Sequence, residues 1–195
     1  MRPIERSEIL PLGDYEMIRQ RFRSRVIEEK RPRRVALGEH ISAVFENRDS
    51  VLLQIQEMLR TERITSEPAI LHEITTYNEL VPGDREVSVT VFVEISDKDT
   101  RDRLLVELAG LEDTFSLVVD DARFPLRGPK PDGYVEGRTT AVHYLKAKLS
   151  AEAVTAITQG KARAALAVDH PGYTKHAELG RATLQKLAED LGAPS

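Results

Sequence analysis

The chain has no cysteine, which excludes disulfides, thiolate metal sites, cysteine-ligated iron–sulfur clusters and cysteine nucleophiles. It has no uninterrupted apolar run long enough to span a bilayer, and the opening MRPIERSEILPLGDYE lacks the apolar centre of a secretory signal. A soluble cytoplasmic protein is the expectation. Nor is there an excess of positive charge. Lys and Arg number 28 against 32 Asp and Glu, a formal net charge of -4, so nucleic acid or an anionic membrane would have to be met by a local patch. No spacing matches a HExxH zinc helix, a nucleophile elbow or a carboxylate-rich calcium loop. What is present is 195 residues, 41% hydrophobic and 31% charged, enough to bury a core as one domain or a domain with a helical extension.

Periodicity assigns the elements. GDYEMIRQRFRSRVIEEKRP sets Tyr15, Ile18, Phe22 and Val26 at helical spacing, with Asp14 as N-cap and Pro32 as stop. RRVALGEHISAVFEN reads as two short strands around Gly38, and a helix follows from Asp49. Ser66 and Pro68 open another helix, which the VPGD turn follows. EVSVTVFVEI is the clearest strand, with Val87, Val89, Val91, Val93 and Ile95 on one face. Thereafter come a helix capped by Ser96, a strand at Phe115 to Val119, a long loop, the strand TTAVHYLKAKL, a short helix ended by Gly160, the strand ARAALAV and a last helix through Leu184, Leu187 and Leu191.

The order predicts an α+β fold: an antiparallel sheet with a ferredoxin-like β-α-β-β-α-β core. Expected boundaries are an N-terminal helical region with a short hairpin over 1–84, the ferredoxin-like core over 85–170, and a C-terminal loop and helix over 171–195, together one compact unit.

With no cysteine, a transition-metal site would need His with Asp or Glu. His143 shares strand parity with Leu145, Ala147 and Leu149, and the favoured reading is a core histidine hydrogen-bonded to a neighbour. In a ferredoxin-like sheet it lies two strand spacings, about 10 Å, from the strand of His170, plus an offset along the strands, too far to share a metal. Asp169, His170, Tyr173 and His176 form the better ligand cluster, at a strand end followed by an irregular segment. Its alternative is a turn fixed by Pro171 and Gly172 with solvated side chains. The loop RGPKPDGYVEGR, Arg127 to Arg138, lacks the helix that a phosphate-binding glycine loop requires, but a loop this long can be a binding element. Arg19, Arg21, Arg23, Arg25, Arg31, Arg33 and Arg34 could meet a phosphate backbone. A solvated helix in which Arg25 pairs with Glu28 and Glu29 is favoured over that.

In FENRDSVLLQIQEMLR, Val51, Leu52, Ile55, Met58 and Leu59 make one apolar stripe that docks the helix. Leu53, Gln56, Glu57 and Arg60 project the other way, and define a second interface in which a leucine is rimmed by hydrogen-bonding groups.

The longer segment FENRDSVLLQIQEMLRTERI resembles the signature segment of a bacterial family catalogued as domain of unknown function 3501, and VDHPGY is similar to a second motif of it. The resemblance covers almost the whole chain. The family has no established activity. Its members are often encoded beside rubrerythrin and an iron–sulfur oxidoreductase of the heterodisulfide-reductase type, which implies peroxide or redox stress. With the polar face of that helix and the lack of any cofactor motif, this setting makes the leading expectation a non-catalytic accessory protein, without cofactor, that binds a redox partner through Leu53, Gln56, Glu57 and Arg60. The alternative is a metal- or ligand-binding protein or enzyme using Asp169, His170, Tyr173 and His176. Nucleic-acid binding through the arginine-rich helix stands third, and a homo-oligomer stays open.

Overall fold

In the computed structural model, which describes residues 1–130 and 135–192, eight strands form two antiparallel four-stranded sheets rather than one. The first is built from β1 (Arg34–Ala36), β2 (Ile41–Glu46), β3 (Glu86–Val93) and β6 (Val142–Lys148), in the order β1-β2-β3-β6. The second joins β4 (Phe115–Val119), β5 (Ala122–Pro125), β7 (Ala164–His170) and β8 (Tyr173–Glu178), in the order β5-β4-β7-β8. Around them lie α1 (Leu12–Lys30), α2 (Arg48–Thr61), α3 (Glu67–Asn78), α4 (Lys98–Glu107), α5 (Ala151–Thr158) and α6 (Arg181–Gly192).

The α+β class holds, and the ferredoxin-like pairing does not. A ferredoxin-like sheet would flank β3 with β6 and with β7, antiparallel to both, and would set β4 beside β6; of these pairings only β3–β6 is present. Here β3 pairs antiparallel with β6, from Glu86 opposite Lys148 to Phe92 opposite Val142, and its other edge is taken by β2. With both edges of β3 filled, β7 pairs with β4 instead. The N-terminal hairpin thus contributes to the same sheet as β3, and the C-terminal segment contributes β8 to the second sheet.

Alternation explains which face each strand buries. Val87, Val89, Val91 and Val93 share one cluster with Phe45 and Leu145 of their own sheet and with Phe115, Leu117, Leu166 and Val168 of the other. Each such side chain, fully buried, contributes about 1.5–3 kcal/mol of transfer free energy. The opposite face of β3 is also covered, so Ser88 and Thr90 are buried polar residues. Thr90 donates to Glu46 at 2.8 Å, Ser50 donates to the same carboxylate, and Lys30 lies 3.2 Å from it, so the buried charge is paired and hydrogen-bonded. A second cluster, of Ile4, Ile9, Val51, Ile55, Leu59, Ile70 and Ile74, holds α2, α3 and the N-terminal segment together.

The two sheets are tied at both ends. Arg127 and Lys146 exchange backbone hydrogen bonds of 2.9 and 2.7 Å, which join the chain after β5 to the edge strand β6. At the far side Tyr173 donates from its hydroxyl to the Leu37 carbonyl. Gly38 sits there at φ 87°, and a Cβ on it would fall 2.4 Å from the Tyr173 hydroxyl. Glycine is therefore required twice over, for the left-handed backbone and for the close approach.

Local signals differ from expectation in five places. The helix α1 begins at Leu12 behind Pro11, not at an Asp14 cap. For α2, Asn47 accepts from the Ser50 amide while Ser50 closes a capping box, and α4 is capped by Asp97 rather than Ser96. The strand β5 lies inside what reads as loop. The segment after His170 is not irregular: Pro171 and Gly172 turn the chain into β8.

Candidate functional site

The face of α2 that carries Leu53, Gln56, Glu57 and Arg60 is an interface, but its occupant is the chain itself. Gln56, 2% exposed, accepts from the Leu10 amide at 2.7 Å and donates to the Leu10 carbonyl at 3.3 Å. Glu57 accepts from the Tyr15 hydroxyl at 2.5 Å and from two nitrogens of Arg19 at 2.8 Å each. Arg60 donates to Glu16 at 2.8 Å, and Leu53 is half-buried beside them. The face expected to meet a redox partner is thus engaged by α1 and the turn before it. Arg19 holds the Glu57 carboxyl down to about 2, against the opposing effect of burial and with help from Tyr15.

Strand parity divides the cluster of Asp169, His170, Tyr173 and His176. In the β7–β8 register Val168 faces Lys175 and His170 faces Tyr173, while Ala167 faces His176. His170 and Tyr173 therefore turn toward the core side, and Asp169 and His176 toward the other. His170 accepts from the Gly172 amide at Nδ1, 3.1 Å, which leaves Nε2–H to donate to the Ala109 carbonyl at 3.1 Å. Asp169 pairs with Arg123, and Tyr173 is the latch onto Leu37. Among the described residues no group of three or more His, Asp or Glu is placed to hold a metal.

His143, 3% exposed, is a hydrogen-bonded core residue. Its Nε2 lies 3.0 Å from the Thr139 hydroxyl, which donates to buried Glu112 at 2.9 Å. Burial lowers its pKa, and Glu112 opposes that. It stands in the first sheet and His170 in the second, so they belong to different surroundings. Of the arginine run, Arg19, Arg25, Arg31, Arg33 and Arg34 each pair with a carboxylate: Glu57, Asp49, Glu28, Asp190 and Glu94. Little uncompensated charge is left for a phosphate backbone.

A cleft of about 460 Å³ opens elsewhere, between the end of α3, the outward face of β6 and the segment that follows β5. Its position follows from parity: His143, Leu145 and Ala147 turn to the core, so Tyr144 and Lys146 turn outward. Tyr144 and Tyr77 pack on the margin of the second apolar cluster. The turn of α3 that carries Tyr77 is pinned by the N-terminal segment, since Asn78 exchanges hydrogen bonds of 2.8 and 2.9 Å with the backbone of Ile4. Opposite, Gly128 lies so close to β6 that a Cβ would come within 1.9 Å of the Tyr144 carbonyl oxygen. Only glycine lets Arg127, Pro129 and Lys130 reach the cleft wall.

Polar groups converge on this mostly apolar hollow. Lys146 donates to the Val81 carbonyl at 2.9 Å and to Glu86 at 2.8 Å. Burial disfavours the Glu86 carboxylate, but Lys146 and the Gly83 amide outweigh it and keep its pKa below the ordinary value. Burial raises the Tyr77 pKa, Tyr144 adds to the rise, and a hydrogen bond with Gln54 opposes it. Arg127 donates to the Leu126 carbonyl at 2.9 Å, and Glu79 and Thr76 stand at the mouth. Tyr77, Tyr144 and Lys146 are missing from the sequence-based candidates. The available signals were the polar alternation of β6 and the Gly128-Pro129 step in the long loop, whose residues 131–134 lie outside the described residues.

Two antiparallel four-stranded sheets and six helices among the described residues, with an open aromatic and basic cleft at one sheet edge, define a mixed α+β fold. The chain belongs to the family described as "Protein of unknown function (DUF3501)", whose model matches residues 3–191. It is similar to a crystal structure of a novel protein of unknown function from Burkholderia pseudomallei, with a TM-score of 0.90 and 30% identity over 97% of this chain and 100% of that one. A comparison with curated proteins returns no match. No helix among the described residues is long and apolar enough to cross a membrane.

Proposed function

We propose that this chain is a small-ligand-binding protein whose site is the cleft between Tyr77, Tyr144 and the Arg127–Lys130 segment. The observation that carries the reading is the hollow of about 460 Å³ with tyrosine walls and convergent donors. Its size falls within the roughly 300–1,000 Å³ of small-molecule sites. Support also comes from the glycine contact at Gly128, which sets the wall in place through the backbone rather than through a mobile side chain.

An accessory role beside rubrerythrin or an iron–sulfur oxidoreductase, as the family resemblance implies, would then be that of a ligand-responsive partner. Gln56, Glu57 and Arg60 are engaged by α1 and the turn before it, so such a partner would have to dock on another surface. Untagged protein from its own host, denatured and extracted for mass spectrometry, tests the reading. A compound retained by the wild type and lost in Thr76→Trp, which blocks the mouth from an exposed position, is the expected result. Identical extracts from both proteins would overturn it.

A further inference from the structure

We propose that the outward face of the second sheet is a contact surface between two copies of this chain, packed face to face about a twofold axis parallel to β4 and β7.

Composition singles out this face. Phe115, Leu117, Leu166 and Val168 turn to the core, so parity sends Ser116, Val118, Ala165 and Ala167 outward on the two central strands. A solvated face of an antiparallel sheet ordinarily carries polar side chains. Here the middle is small and mostly apolar, while Arg123 on β5 and Thr174, His176 and Glu178 on β8 make a polar rim. Those four are exposed, so no other element of the chain covers the face. An apolar middle inside a polar rim is the anatomy of a protein interface. Ser116 adds an unmet demand, since it is 3% exposed and its hydroxyl has no partner among the described residues, a costly state for a buried polar group. A hollow of about 330 Å³ over Val118, Ala165, His176 and Glu178 leaves room for a second layer.

Register names the occupant. Arg123 lies opposite Val118, Val118 opposite Ala165 and Ala165 opposite Glu178, so one row across the sheet begins with a cation and ends with an anion. The next row runs Pro125, Ser116, Ala167 and His176. A twofold axis between two such sheets, midway between β4 and β7, lays each row reversed upon itself. Arg123 of each copy then meets Glu178 of the other, Val118 meets Ala165, and Ser116 meets Ala167. Opposite charges are matched twice, with small residues between them, which makes the face complementary to itself. Sheets packed face to face lie about 10 Å apart, and small central side chains bring them closer, within the reach of an arginine. Arg123 already pairs with Asp169, but those side chains are 53% and 45% exposed, and such a pair is weak. One guanidinium has five N–H groups, enough to serve both carboxylates, and Glu178 has no ion pair of its own among the described residues.

Sedimentation velocity of the full chain tests the pairing with two charge reversals, Glu178→Arg and Arg123→Glu, both at exposed positions. Wild type is expected to form a dimer whose population rises with concentration. Each variant alone brings like charges together twice, and is expected to dimerise roughly tenfold or more weakly with an unchanged circular dichroism spectrum. Mixed in equal amounts, the two variants are expected to associate with one another as tightly as wild type does with itself, because each offers the charge that the other lacks. Wild type that stays monomeric up to millimolar concentration overturns the proposal. So does a dimer that both variants leave intact, which would place the contact on another face, or a mixture of the variants that stays monomeric.

Discussion

Replacing Glu57 by glutamine should loosen α1 from α2, and should do so only where the native carboxylate is ionised. Glu57 gathers the Tyr15 hydroxyl at 2.5 Å and two Arg19 nitrogens at 2.8 Å. The side chains of Arg19 and Glu57 are 27% and 26% exposed. With Arg19 as the main cause, the folded protein holds this carboxyl at about 2 against an ordinary 4.5. The whole gap would correspond to about 3.4 kcal/mol, and solvent screening at a part-exposed pair reduces it to about 1–2 kcal/mol. Because the folded pKa is the lower one, the unfolded chain takes up the proton first as pH falls. The contribution is complete above about 4.5 and is lost progressively toward about 2. Urea unfolding followed by circular dichroism should therefore find Glu57→Gln about 1–2 kcal/mol less stable than wild type at neutral pH, with the difference closing in acid. Tyr15→Phe, which removes one donor and leaves Arg19 in place, should fall between them. A constant difference from neutral pH to about pH 3, or none at neutral pH, would refute the assignment of this face to α1.

Two further perturbations probe the buried polar groups. Asp190→Ala strips the partner from Arg33, which is 2% exposed and whose Nε already lacks an acceptor; a loss of roughly 3–5 kcal/mol is expected in the same unfolding assay, and a loss below about 1 kcal/mol would mean the pair is solvated. Burial depresses the pKa of His143 from its usual 6.5, so the unfolded chain binds that proton first and wild-type stability should fall as pH drops below about 6.5. His143→Gln, which can still hydrogen-bond Thr139, should flatten that part of the profile, and an unchanged slope would count against a neutral buried imidazole.

Helical period placed the α2 stripe but not all of α1, where Ile18 is 44% exposed, and Gln56, Glu57 and Arg60, read as open to a partner, are held by the chain itself. The α2 stripe of Val51, Ile55 and Leu59 is buried, and the polar residues opposite do form an interface. That α1 would fill it is not legible in α2, because a face able to bind a partner and a face docked on a neighbour carry the same residues. The strand β8 was missed because its outward Thr174, His176 and Glu178 and its inward Lys175 leave no apolar alternation. The short β5 has little burial of its own. Both are recognised as strands only through the neighbours they pair with.

By itself the sequence determined what local chemistry decides: no thiol chemistry, an α+β composition, the valine face of β3, the parity that sends His143 inward and Tyr144 outward, and the glycine turn at Gly38. Tertiary structure alone decided that β2 rather than β7 takes the second edge of β3, that two sheets form instead of one, and that Asp169 and His176 part from His170 and Tyr173. It also brought Tyr77, Arg127 and Tyr144, which are remote in sequence, around one cleft. The physical reason is common to all of these. Strand and helix periods are properties of a few consecutive residues, whereas pairing partners are chosen by competition among edges and faces distant along the chain.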